Sequence, residues 1–260
     1  MKVKIISPVV NSPTFLDIQI AKFKENLSND FELICIDDSK QDSMNDQFMD
    51  VCSRHSDVAT WFRNTRSPVS GPSMSHANAI QFALDNIVYV SCLNDIVFLI
   101  DSDIFLMEKL DLIEFMKGKE IASFKQSRGE VDYLWPGFTL LNMPQIKKYD
   151  SEIKFFPGCF GGEMCDTGGE SHNFLLQNNI EPYPIDCKFE GEYKGQTLVN
   201  METFMEGNFL HFRGGTCTRL GNTSRADGSS KCATEHHHLW KLLKDPKPDQ
   251  NGRRSLSSSI

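Results

Sequence analysis

Among the eight cysteines of this 260-residue chain, at positions 35, 52, 92, 159, 165, 187, 217 and 232, there is no Cys-x-x-Cys pair and no metal-ligand spacing. Several lie inside apolar stretches such as Leu33-Ile34-Cys35-Ile36, which reads as reduced structural thiols and sets aside a disulfide framework or a zinc site. Long apolar runs are missing too: Met1 to Val10 holds no signal-peptide core, and no stretch is long enough to cross a bilayer. The expectation from these absences is a cytoplasmic protein with no transmembrane segment. Basic residues are outnumbered, 27 against 35 acidic, and a formal charge of −8 argues against nucleic acid or an anionic membrane held by a broad basic face. It leaves room for a phosphate-bearing small molecule neutralised locally by a metal. No internal repeat occurs.

What is present suffices for a sizeable core: 40% hydrophobic and 10% aromatic content argue against general disorder, and the length suits one α/β domain with extensions. The stretch that organises the rest is Val97-Phe98-Leu99-Ile100-Asp101-Ser102-Asp103-Ile104-Phe105. Four consecutive apolar residues ending in two carboxylates predict a fully buried central strand that delivers Asp101 and Asp103 to its carboxyl edge. In an open α/β sheet, ligands bind at that edge. Acids at i and i+2 leave a strand on one side, and such hard oxygen ligands suit Mg²⁺ or Mn²⁺ completed by substrate phosphates. The plainer alternative is two acids that begin a loop.

Before this strand, Val3 to Val10 predicts an opening strand, Phe15 to Leu27 an amphipathic helix, and Phe31 to Ile36 a second strand ending in Asp37-Asp38-Ser39, together a βαβ unit. Asp37 and Asp38 could accept hydrogen bonds from a nucleotide or cap a turn. Asp46 to His55 reads as helix and Val58 to Phe62 as strand. A Pro/Gly/Ser loop, Pro68 to Ser73, leads into a helix from Met74 to about Ile87. Its start, Ser75-His76-Ala77-Asn78, offers amides to an anion, with His76 or Asn78 in reach of a diphosphate, or is simply a capped helix.

After Asp103, Leu106 to Lys117 reads as helix and Ile121 to Phe124 as a short strand. In Tyr133 to Met143 a Pro136-Gly137 turn precedes an apolar strand, and Trp135 is either a stacking platform for a sugar ring or a core residue. Phe155 to Glu170 reads as a glycine-rich loop before a helix from Ser171 to Gln177, with Asp166 ahead of Gly168 and Gly169 where a helix dipole keeps it ionised, as a general base requires. Asn208 to Thr216 reads as a strand with His211 and Arg213 on one face, available to metal and phosphate, although a lone strand histidine is commonly structural. His236, His237 and His238 point different ways round a terminal helix, and Asp249 to Ile260 reads as a disordered tail.

Taken in order, these pieces resemble the GT-A glycosyltransferases, particularly the family 2-like nucleotide-diphosphosugar enzymes. The resemblance spans about residues 3 to 219 and rests on Ile5-Ile6-Ser7-Pro8-Val9, Asp37-Asp38, Ser75-His76-Ala77-Asn78, Phe98 to Asp103, Trp135-Pro136-Gly137-Phe138, Asp166-Thr167-Gly168-Gly169 and His211-Phe212-Arg213-Gly214-Gly215. It implies a GT-A (Rossmann-like) α/β fold, a mostly parallel central sheet flanked by helices with a C-terminal acceptor-side extension. One domain would cover residues 1–245, about 1–105 binding the donor and 106–245 the acceptor, with 246–260 as tail.

Carried over by position, the resemblance implies that Asp103 ligates Mn²⁺ or Mg²⁺ through the diphosphate of a nucleotide-sugar donor. Asp101 would touch ribose or metal beside Ser102, and His211 would be the C-terminal metal ligand. Pro8, Val10 and Asp38 would line the nucleotide pocket, with His76 near the diphosphate. Trp135, Gly137, Gly168, Gly169 and Arg213 would face the acceptor or substrate, and Asp166 would be the base of an inverting transfer. The usual acid pair of the acceptor helix is replaced here by Asp166-Thr167-Gly168-Gly169, which leaves Glu163 and Glu170 as alternative bases. Competing expectations are a haloacid-dehalogenase-like phosphatase with Asp101 as nucleophile, a nucleotidyltransferase, and a non-catalytic sugar-nucleotide-binding module. Against the phosphatase, the acid pair is central in the chain and Ile104 follows it.

Overall fold

In the computed structural model, which describes residues 1–10, 12–39, 41–66, 71–189, 192–193, 196–197 and 201–212, strand and helix alternate through the first hundred residues. β1 (Val3–Val9), α1 (Pro13–Asn26), β2 (Phe31–Asp37), α2 (Asp42–Arg54), β3 (Ala59–Arg63) and α3 (Pro72–Ala83) come first. A π-helical stretch (Leu84–Val88) and one turn of helix, α4 (Tyr89–Ser91), then lead to β4 (Ile96–Ile100). Both α1 and α3 open on a proline, whose missing N–H costs nothing in a first turn.

The second half contains β5 (Ile104–Leu106), α5 (Leu112–Phe115), β6 (Ile121–Arg128), β7 (Val131–Asn142), α6 (Met143–Ile146), β8 (Gly158–Phe160) and β9 (Glu163–Cys165). It continues with α7 (Ser171–Asn178), β10 (Tyr183–Pro184), β11 (Cys187–Phe189), β12 (Glu192–Tyr193), β13 (Gln196–Thr197), β14 (Met201–Phe204) and β15 (Phe209–Phe212).

Seven strands form the large sheet in the order β10-β6-β7-β4-β1-β2-β3. Every neighbouring pair is parallel except those made by β7, which runs against both β4 and β6. The central strands read as unbroken apolar runs because both their faces are covered. Ile5, Leu33, Cys35, Phe98 and Ile100 pack with Leu16, Ile20 and Phe23 of α1 and Phe48 of α2. Ile6, Ile34, Ile36, Val97 and Leu99 pack on the other face with Ala79, Ile80 and Ala83 of α3 and Phe174 of α7. Each Val, Leu, Ile or Phe among them, fully withdrawn from water, contributes about 1.5–3 kcal/mol.

A second, antiparallel sheet has the order β11-β14-β15-β5. An aromatic cluster joins it to the first: Phe98 meets Phe138 at 5.0 Å and Phe209 at 5.6 Å, and Phe138 stacks on Phe204 at 4.7 Å. The chain steps directly from one sheet to the other through Asp101-Ser102-Asp103, between β4 and β5.

Four sequence expectations are corrected. Residues 106–117 are not one helix: Leu106 is the last residue of β5, which pairs with β15, and only the single turn of α5, capped by the Asp111 carboxylate accepting from Glu114 N at 2.9 Å, is helical. Pairing with a strand a hundred residues away overrides local helix propensity there. Pro136-Gly137 is not a turn before a strand but lies inside β7, where the pairing with β6 slips between Ser123 and Lys125. Such an irregularity is where a proline without an N–H is tolerated. The 155–170 loop contains the β8–β9 hairpin. Finally, α3 begins at Pro72, so the Ser75 amide is already bonded to Gly71 O at 3.0 Å and is not free for an anion.

Candidate functional site

The carboxyl end of β4 is where the two sheets meet. Asp101-Ser102-Asp103 makes a turn closed by Ile104 N donating to Asp101 O at 3.1 Å, while Asp101 N donates to Gly137 O of β7 at 3.0 Å. From α1, the fully buried Gln19 holds this turn: its Nε2 donates to Asp101 O at 2.8 Å and Ile104 O at 2.9 Å, and its Oε1 accepts from Ser7 Oγ at 2.8 Å. Every polar atom of the amide is used, so the geometry of the acidic turn is set from outside it.

Because Ile104 pairs with His211 and His211 with Glu202 across adjacent strands, three residues remote in sequence lie in one row. His211 Nε2 is 3.5 Å from Asp103 Oδ1, and His211 Nδ1 is 2.9 Å from Glu202 Oε2. All three side chains are buried. Burial works to lower the pKa of His211, but the charges and hydrogen bonds of Asp103 and Glu202 outweigh it and push the value up to about 10.

Asp101 points elsewhere. Its Oδ1 is 3.0 Å from His76 Nε2 of α3, out of line for a well-formed hydrogen bond, so the contact is chiefly an ion pair. For His76, burial works downward and is overcome by Asp101, with Asp103 and Asp166 adding to it, so the pKa is raised. For Asp101, burial works upward and is overcome by His76, so the pKa is lowered. Each partner therefore favours the charged form of the other.

Among the described residues no three His, Cys, Asp or Glu side chains converge as a complete metal site. The expected trio of Asp101, Asp103 and His211 thus separates into Asp103 with His211 on one side and Asp101 with His76 on the other. Two protein ligands, one oxygen and one nitrogen, fit a divalent ion that keeps waters and draws its remaining ligands from phosphate. Ser102 is buried between the acids.

The other expected residues fall around this edge. Asp38, just past β2, accepts from Asn64 Nδ2 at 2.8 Å and from Ser75 Oγ of α3, and its amide donates to Val9 O at 3.1 Å beside the half-buried Pro8 and Val10. Its neighbour Asp37 is buried and structural, accepting from Ser39 N at 2.9 Å and Trp61 Nε1 at 3.2 Å. Trp135 is half-buried, with its ring 5.7 Å from that of His211 and 5.8 Å from that of Phe124. A Cβ on Gly137 would meet that indole at 2.3 Å, so only glycine lets the ring lie there.

Asp166 is exposed, and its Oδ1 accepts from Thr167 N at 2.7 Å. Its loop is fastened to α3 by Thr167 Oγ1 donating to Ser73 O at 2.9 Å. The expectation that a helix dipole acts on Asp166 is corrected: α7 starts only at Ser171, beyond the range of that effect. Gly168, at φ +100°, has a packing task, since a Cβ there would meet Leu134 O at 2.0 Å, and Gly169 fits likewise against Cys165 and Gly158. Arg213, His236 to His238 and the 246–260 tail lie outside the described residues.

Sequence reasoning missed Gln19 and Glu202. Gln19 had a signal, being polar on the buried face of α1 three residues after Leu16 and four before Phe23. Glu202 had only the alternation of Met201-Glu202-Thr203-Phe204.

Neither a protein-family model nor a curated protein sequence matches the chain. Among solved structures it is similar to the mannosyltransferase PcManGT from Pyrobaculum calidifontis in complex with GDP-Man and Mn²⁺, with 13% identity, 56% of this chain and 46% of that chain covered, and a TM-score of 0.42. It is also similar to glucosyl-3-phosphoglycerate synthase from Mycobacterium tuberculosis in complex with Mn²⁺ and UDP-glucose, with 17% identity over 47% of this chain and 42% of that chain and a TM-score of 0.34. A third is the galactosyltransferase LgtC in complex with donor and acceptor sugar analogues, with 9% identity over 56% of this chain and 60% of that chain and a TM-score of 0.38. The chain thus spans about half the length of these proteins. No helix among the described residues is long and apolar enough to cross a membrane.

Proposed function

We propose that the chain is a metal-dependent glycosyltransferase of GT-A type, moving a sugar from a nucleotide-diphosphate sugar to an acceptor hydroxyl. The observation that carries this reading is the meeting of Asp103 and His211, 3.5 Å apart at the carboxyl edge of the central strand, with the His76–Asp101 pair beside them. Asp103 and His211 would hold Mn²⁺ or Mg²⁺. A bound ion of this kind neutralises charge developing on a departing diphosphate. His76, whose charged form Asp101 favours, would face the same diphosphate and lower the cost of bringing it to this edge.

Asp38 with Pro8 and Val10 would meet the nucleoside, and Ser102 fixes the spacing of the two acids. On the acceptor side, Trp135 over Gly137 would offer an apolar face to a sugar ring. Asp166, exposed and therefore reachable, would take the proton of the attacking hydroxyl in an inverting transfer. Gly168 and Gly169 shape the loop that carries it. Residues 1–105 would serve as donor half and 106–245 as acceptor half of one domain. A phosphatase with Asp101 as nucleophile is not favoured, because His76 engages that carboxylate and β4 is not the opening strand.

Thermal unfolding against UDP, GDP and CDP, each with and without Mn²⁺, tests the reading. A ligand bound by the native state at a hundred times its Kd stabilises by about 2.7 kcal/mol. A midpoint rise with Mn²⁺ and one nucleotide together that exceeds the rise with either alone, and that Asp103→Ala abolishes, is expected. Equal midpoints with every combination would overturn it.

A further inference from the structure

Glu202 is a carboxylate placed where carboxylates are costly. It is 6% exposed, on β14, opposite His211 in register and beside the apolar cluster that includes Phe204. Withdrawing a carboxylate from water is expensive, and a buried ion pair often stabilises a fold no better than apolar residues of the same volume. Stability is thus a weak account of its position.

Its geometry toward His211 gives a better one. An ionised carboxylate can only accept, so the 2.9 Å contact has His211 Nδ1–H donating to Glu202 Oε2. With that proton fixed on Nδ1, Nε2 is the nitrogen turned toward Asp103, 3.5 Å away. The imidazole also packs against Trp135 at 5.7 Å and Phe204 at 5.9 Å between ring centres, the two rings themselves being 5.9 Å apart. The Nδ1 bond to Glu202 thus leaves Nε2 as the nitrogen on the side of Asp103.

We infer that Glu202 is a positioning residue for metal binding: it holds His211 with Nε2 directed at an ion shared with Asp103, and so sets the affinity of the site for that ion. The inference rests on the reading that Asp103 and His211 hold a divalent cation. Carboxylate partners of metal-binding histidines act in this way, and their loss typically weakens metal affinity tenfold to a hundredfold.

The test is a titration of the full chain with Mn²⁺ alone, followed by the EPR signal of free Mn²⁺, for the wild type, Glu202→Gln and Asp103→Ala. The wild type is expected to bind one ion, Asp103→Ala to lose it, and Glu202→Gln to bind ten to a hundred times more weakly while its circular dichroism shows the metal-free fold retained. Wild-type affinity in Glu202→Gln overturns the role of Glu202 and leaves the metal site standing. No binding by the wild type removes the metal reading and the role of Glu202 with it. Pulsed EPR of the Mn²⁺-loaded wild type, labelled with ¹⁵N-histidine, needs no variant to fold. A directly bound imidazole nitrogen is expected, and its absence overturns the inference. The same signal should weaken in Glu202→Gln at saturating Mn²⁺, which a role confined to packing would not produce.

Discussion

His211 between Asp103 and Glu202 has a pH signature of its own. Its pKa rises on folding from the ordinary 6.5 to about 10, so the folded metal-free protein binds this proton more tightly than the unfolded chain. The associated stability is fully present below the unfolded value and is lost as pH rises through the folded one, over a window from about 6.5 to 10. Urea midpoints of the metal-free protein should therefore fall across that window more steeply in the wild type than in His211→Gln. Parallel profiles would show that the histidine is not the group responsible. A divalent ion needs Nε2 unprotonated, so Mn²⁺ protection should grow in the range where this proton stabilisation fades.

Helix α1 acts on the acidic turn through side chains on its buried face. Gln19 grips Asp101 O and Ile104 O, and two turns on, Asn26 Nδ2 donates to Leu106 O at 2.9 Å. Replacing Gln19 by leucine keeps the volume and leaves those carbonyls and Ser7 Oγ without this partner. A loss of about 2 kcal/mol or more is expected in urea unfolding at an unchanged slope, together with weaker Mn²⁺ binding. An unaltered midpoint would show that water replaces the amide without cost. This helix also marks what the sequence discloses. The periodicity of Phe15, Leu16, Ile20 and Phe23 locates α1, and the run before Asp101 locates β4, because their burial is local and periodic. β5 escaped such reading because its three residues are a strand only by virtue of β15. Glu202 escaped because its meaning depends on pairing opposite His211, which a short 3₁₀ turn with Met205 and Glu206 at positive φ determines.

Across the whole molecule, the candidate site belongs to neither sheet alone. Asp103 follows the large sheet and His211 sits in the small one, joined by the aromatic contacts of Phe98, Phe138, Phe204 and Phe209. An ion bridging Asp103 and His211 should couple the two layers: hydrogen exchange in β5 and β15 is expected to slow on adding Mn²⁺, while β2 and β3 stay unchanged. Uniform slowing everywhere would indicate general stabilisation instead. The three-residue step between β4 and β5 also constrains how this chain can vary. Successive side chains of a strand face opposite ways, so adding or removing one residue at 101–103 would turn Ile104, Phe105 and Leu106, all fully buried, onto the wrong faces of the small sheet and carry Asp103 away from His211. In this segment length is constrained as well as identity: Asp103→Ala would remove one ligand and leave the strands in register, whereas a single insertion or deletion would disrupt the small sheet and the site in one step.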